Sequence, residues 1–190
     1  MSEYSTPSAE YVPQSRMHLW WLGAPSTPVL VGDISLVDGG RGVSMKYSDH
    51  WLRTGFALSE DLPLLPQTFM PHAKDTAAGA VDDARPDRWG ERLIRVLDKP
   101  KRLSLLEYLY FSGDDRFGAL GVSLRSDTYL PRTRSALPTL ADVGQVHEIV
   151  RKVVAGEPVD ERERRLVSPG RSMGGAKPKS LVQHPLNNFH

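Results

Sequence analysis

Val29-Leu-Val-Gly-Asp-Ile-Ser-Leu-Val37, Asp38-Gly39-Gly40 and Arg41-Gly-Val-Ser-Met-Lys-Tyr47 decide the fold. Two apolar-rich runs flank a turn whose glycines accept the positive φ that a tight hairpin needs. In the second run Val43, Met45 and Tyr47 alternate with polar neighbours, the period of a strand with one buried face. Upstream, Met17 to Leu22 is a short apolar run and reads as a further strand. Downstream, Asp49 to Arg53 reads as a short helical turn. Residues 58–72, rich in Leu and Pro, read as irregular chain.

Helices follow. Trp89, Leu93, Val96 and Leu97 fall at i, i+4, i+7 and i+8, one face of a helix, and Asp87 stands where an N-cap belongs. Arg85, Arg88, Arg92 and Arg95 line another face. That stripe reads as an anion-binding surface or as a solvated helix face, and the second is the commoner use of such a pattern. Ser104-Leu-Leu-Glu107 is a capping box, in which hydroxyl and carboxylate satisfy backbone N–H groups reciprocally. Its helix should run to about Ser112 and stop at Gly113. Asp114-Asp115-Arg116 has no nearby His or third carboxylate, so it reads as a turn rather than a metal or acid–base pair. Gly118 to Leu124 reads as a strand. Thr139 starts a third helix carrying Val143, Val146, Val150 and Val153, with Gly156 beyond its end. Glu157 to Arg165 reads as an exposed charged connector. The fold class expected is α+β, a small, mainly antiparallel sheet with packed helices.

Composition bounds the function. The chain has 190 residues and a formal charge of +1, which gives no general nucleic-acid surface. It has no cysteine, so disulfides and thiolate metal sites are excluded, and a cytoplasmic location is expected. Residues 1–15 lack periodicity and read as a disordered tail, with no apolar segment to serve as a signal peptide. No run reaches the roughly 20 apolar residues of a membrane span. The histidines show no metal-ligand spacing, and no Ser-His-Asp set can be assembled.

A second informative stretch is Ser168-Pro-Gly-Arg-Ser172-Met-Gly174-Gly175-Ala176-Lys177-Pro178-Lys179-Ser180-Leu181-Val182. Glycines let backbone N–H groups converge on an anion, and a lysine adds point charge. The stretch is neither a Walker A loop nor a G-x-G-x-x-G loop. By pattern alone it is either a phosphate-binding loop or a flexible basic linker.

Four segments in order resemble the HipA family, Ser/Thr protein kinases that form the toxin of bacterial type II toxin–antitoxin modules. They are Tyr47-Ser-Asp-His-Trp51-Leu52 with Leu62-Pro63-Leu64; Ala80-Val-Asp-Asp-Ala-Arg-Pro86-Asp87-Arg-Trp89-Gly90; Asp114-Asp-Arg-Phe117-Gly118-Ala119-Leu120; and Ser172-Met-Gly-Gly-Ala-Lys-Pro-Lys179. The resemblance covers about residues 17–182. It implies a HipA-like N-terminal subdomain over residues 16–138. Residues 139–190 would then be a helix, a charged connector and the Gly-rich loop that opens a kinase-like N-lobe.

The resemblance also implies ATP and Mg²⁺ as cofactors of the full-length family. Ser172, Gly174, Gly175, Ala176 and Lys179 match the loop that faces the ATP phosphates. Ser172 matches the serine that family members autophosphorylate, a change that adds up to about −2 charge. The family's catalytic and metal-binding aspartates follow this loop. Here Gln183 to His190 does not resemble the family, so no catalytic or metal-ligating residue is assigned. The expectation is the N-terminal portion of a HipA-like kinase toxin, inactive alone. The alternative is a stand-alone regulatory subunit that binds and restrains a separately encoded HipA-type kinase. Implied partners are a HipB-like helix-turn-helix antitoxin and, in the second reading, that kinase chain. DNA would be reached only through the antitoxin.

Overall fold

The hairpin forms where its sequence places it. The computed structural model describes residues 11–114, 116, 118–132 and 138–167. Strands β2 (Val29–Val37) and β3 (Gly42–Tyr47) pair antiparallel, with Ile34 opposite Met45 and Leu36 opposite Val43. Between them Asp38, Gly39 and Gly40 take φ of 52°, 67° and 90°. Glycine occupies the left-handed region freely and aspartate at modest cost, which is why this tripeptide can reverse the chain.

Strand β1 (Arg16–Trp21) pairs with β2 on one side and with β5 (Leu120–Ser123) on the other, both antiparallel. A two-residue β4 (Thr68–Phe69) lies against β3, giving the order β4-β3-β2-β1-β5. The expected antiparallel α+β architecture is therefore what the chain adopts. Residues 58–72 are irregular apart from β4, where Phe69 turns inward and meets Tyr47 edge-on at 5.9 Å. Pro66 and Pro71 flank β4 and remove ladder donors, which keeps this sheet edge short. At Gly32 an added Cβ would stand 2.0 Å from the Lys46 carbonyl oxygen, so β2 and β3 approach through a position only glycine fits.

One face of the sheet is the core. Met17, Leu19, Val31, Ile34, Val43 and Met45 are fully buried there. Helix α4 (Leu105–Phe111) packs Leu106, Leu109 and Phe111 into the same cluster. Each such side chain contributes on the order of 1.5–3 kcal/mol. The Ser104/Glu107 capping box forms as expected, and the chain leaves α4 at Gly113 with φ 71°. Helix α1 (Asp49–Thr54) is capped by Ser48, whose Oγ accepts from Trp51 N at 3.1 Å.

A second apolar cluster lies beside the first. After the one-turn α2 (Ala80–Asp83), helix α3 (Arg88–Leu93) starts at Asp87, whose Oδ1 accepts from Gly90 N at 2.8 Å. It widens into a π-helical turn, Ile94–Asp98, and closes at Lys99 with φ 46°. Trp89, Leu93 and Leu97 pack with Ile149 and Val153 of α5 (Val143–Ala155) and with Val159 and Val167. Val96 sits at the margin of this cluster. On α5, Val143 is 45% exposed and Ile149 takes the core position beside Val146 and Val153.

Two expectations need correction. Residues 157–165 are not simply an exposed connector. They contain α6 (Glu161–Arg164), capped by Asp160, tied to α5 by a Lys152–Glu163 ion pair at 2.5 Å, and preceded by the buried Val159. A single apolar residue in a charged run gave too little period to show this. The second correction is at the other end. Tyr11 falls in the stretch read as a disordered tail, yet it is buried against Tyr110 and Phe111. The second cluster also draws residues from both sides of the boundary read between 138 and 139.

Candidate functional site

Strand β1 ends in two tryptophans, and the second points toward α1. Trp21 lies 6.3 Å from Trp51 and meets Phe56 edge-on at 5.0 Å. Trp51 and Phe56 are 5.1 Å apart, and the indole N–H of Trp51 donates to the Phe56 carbonyl at 3.0 Å. Phe56 is thereby held with 47% of its surface exposed. This aromatic group and Leu58 form one wall of an open cleft of about 300 Å³. Ala80, Asp83 and Ala84 form a second wall, and the turn Gly118-Ala119-Leu120 closes it.

Arg116 fixes that turn. Its guanidinium donates to Gly113 O at 2.7 Å, to Leu109 O at 2.6 Å and to Ala84 O at 3.3 Å. It therefore satisfies carbonyls at the end of α4 and just after α2 at once, a use of the rigid guanidinium fork that lysine cannot reproduce. Burial pushes its pKa down to about 10, so it remains charged at neutral pH. Leu22 N donates to Ala119 O at 2.7 Å, which joins the turn to the end of β1.

The walls are apolar, and Asp83 is the carboxylate among the lining residues. Asp83 is exposed, and its side chain makes no hydrogen bond or ion pair with another described residue. Such a cleft suits an apolar or aromatic group carried next to a cation. Among the described residues no group of His, Asp and Glu is placed to hold a metal ion. No helix among them is long and apolar enough to cross a membrane.

The residues singled out by sequence fall differently. Ser172, Gly174, Gly175, Ala176 and Lys179 lie outside the described residues, as does Asp115. Asp114 is a structural acceptor, taking the Tyr129 hydroxyl and, at 2.7 Å, Arg132 N. The arginine stripe is largely engaged in the fold. Arg85 donates to Asp75 O at 2.7 Å, Arg92 to Val154 O at 2.8 Å and Arg95 to the Tyr108 hydroxyl at 2.8 Å. His147 is exposed on α5. Sequence reasoning missed the cleft because Trp21, Phe56 and Leu58 belong to no shared pattern. The signal present was spatial: segments near Trp51, Ala80 and Gly118 meet in one place.

A family model described as the HipA N-terminal domain matches residues 27–123. Among curated proteins no match is found.

Proposed function

The chain belongs to the family of HipA N-terminal domains, and from that premise we propose that it is the N-terminal portion of a HipA-like serine/threonine kinase toxin. One observation carries the reading: three segments that are far apart in sequence, around Trp51, Ala80 and Gly118, converge on one aromatic cleft. In this reading the body over residues 16–138 is a docking module. Its cleft receives an apolar side chain and an adjacent cation from a partner polypeptide, with Asp83 as counter-charge. The partner is a helix-turn-helix antitoxin of the HipB type, and DNA is reached through it, in the cytoplasm. Residues 139–190 lead toward the kinase-like lobe, and Ser172, Gly174, Gly175, Ala176 and Lys179 face the phosphates of ATP. Mg²⁺ would neutralise charge on those phosphates. A phosphate on Ser172 would set like charge against them and displace the loop.

The same cleft also supports a second reading, a regulatory subunit that docks onto a separately encoded HipA-type kinase. The intact mass of the endogenous protein separates the two. A mass well above 21.1 kDa is expected for the kinase portion. A mass at 21.1 kDa would replace that reading with the regulatory subunit. A phosphoryl adduct mapped to Ser172, absent from Ser172→Ala, supports the loop assignment, and equal phosphorylation of both proteins rules it out.

A further inference from the structure

Trp21 and Phe56 stand nearly perpendicular in the wall of the cleft, at 87° with ring centroids 5.0 Å apart, and so form an aromatic corner. The remaining walls carry small residues, Ala80, Ala84, Gly118 and Ala119. Rings on one side and methyl groups on the other leave room for a flat group.

Asp83 puts a carboxylate on the same cleft. Its neighbour Asp82 is a structural acceptor, taking Ala77 N at 2.6 Å and pairing with Arg85 at 3.1 Å. Asp83 is exposed and has no such partner among the described residues. Two arginines close by are committed elsewhere. Arg85 is held by Asp82 and the Asp75 carbonyl, and Arg116 by three carbonyls. The negative charge on the cleft is therefore left for a group from outside.

An aromatic ring attracts a cation through its quadrupole, and a carboxylate attracts it by charge. A guanidinium answers both. It is planar, it is more weakly hydrated than an ammonium, and its fork of N–H donors matches a carboxylate. The chain makes the ring pairing internally as well: the Arg132 guanidinium lies 3.4 Å from the centre of the Tyr110 ring, and that of Arg95 lies 5.7 Å from Tyr108. We propose that the cleft is an arginine-binding site. The partner's arginine sets its guanidinium in the Trp21–Phe56 corner with Asp83 as counter-ion, and its methylenes run along Leu58 and Leu120. This assignment rests on the docking reading above and sharpens it, since one side chain supplies both the apolar stem and the cation.

The test titrates the full chain with Nα-acetyl-arginine amide, Nα-acetyl-lysine amide and Nα-acetyl-leucine amide. The readout is the indole N–H resonance of Trp21, assigned by its loss in Trp21→Phe. Trp89, buried in the other apolar cluster, is the internal control. The arginine amide should move the Trp21 signal saturably and leave Trp89 still, and bind at least roughly threefold more tightly than the lysine amide. Asp83 holds nothing in the fold, so Asp83→Asn should stay folded. It should weaken the arginine amide by roughly two- to fivefold and leave the leucine amide unchanged. A leucine amide that binds most tightly, a lysine amide equal to the arginine amide, or an Asp83→Asn chain that binds arginine amide as wild type does overturns the arginine assignment while the docking cleft stands. A Trp21 signal that no probe moves overturns both.

Discussion

Glu107 concentrates the electrostatics of this molecule in one side chain. Burial pushes its carboxyl up, but donation from Arg102, Ser104 and Tyr11 outweighs that and holds it below its ordinary pKa of 4.5. A native pKa lower than the unfolded one contributes stability that is fully present above about pH 4.5, and that contribution disappears as pH falls through the native value. Glu107→Gln should therefore cost about 1.5–3 kcal/mol at neutral pH, because Arg102, Ser104 and Tyr11 lose a charged acceptor while Arg102 stays partly solvated. It should also flatten the acid limb of the stability curve. Urea melts between about pH 7 and pH 3 check both, and a variant with the wild-type acid slope would contradict the assignment. Tyr11→Phe is a milder probe at the same place. It keeps both ring contacts and removes one donor to a charged acceptor, for an expected loss of about 1.5–3 kcal/mol. Arg116→Lys tests the cation that fixes the turn beside the cleft. A single ammonium cannot reach three carbonyls in the fork geometry, and each one left bare costs about 1–3 kcal/mol.

Elements here are short, and their ends carry much of their definition. Gly156 ends α5 at φ 73°, and a Cβ added there would meet nothing within 4 Å. The penalty of Gly156→Ala is therefore backbone strain alone, about 1–2 kcal/mol by thermal or urea melts, and Gly156→Asn should cost less. Losing the Ser104 hydroxyl should cost about 0.5–2 kcal/mol. These ends were legible in the sequence because caps are local. The Ser104/Glu107 box, the Asp87 cap, Gly113 and Gly156 all act within a few residues, and so does the Asp38–Gly40 turn. Elements defined by distant partners were not legible. Two-residue β4 exists because β3 offers it a ladder, and the π-helical turn at Ile94–Asp98 has no pattern of its own. Val159 packs because α3 stands opposite, which no spacing within residues 157–165 could announce. The cleft is the extreme case, since its walls come from residues around 21, 56, 80 and 118.

Across the whole molecule two apolar clusters divide the work, the sheet with α4 and the α3–α5 pair. Helix α5 packs in the smaller cluster and α6 only through the flanking Val159 and Val167, so their amides should exchange with solvent at a lower opening free energy than those of β1 and β2. Hydrogen exchange read by mass spectrometry checks this, and uniform protection across residues 16–167 would contradict it. Val153→Ala should lower protection of α5 while changing β2 little, at a cost of about 0.5–3 kcal/mol. The position of β1 has a different consequence. It is an inner strand whose second neighbour, β5, lies far down the chain, with Trp20 and Ser123 103 residues apart yet hydrogen-bonded. During synthesis the first three strands leave the ribosome long before β5, and at about 5–20 residues per second that gap lasts for seconds. For that interval the nascent sheet carries an open, Trp-bearing margin. Any factor that shepherds the emerging polypeptide would meet its bare ladder at β1, and release would be timed by the arrival of Leu120 to Ser123.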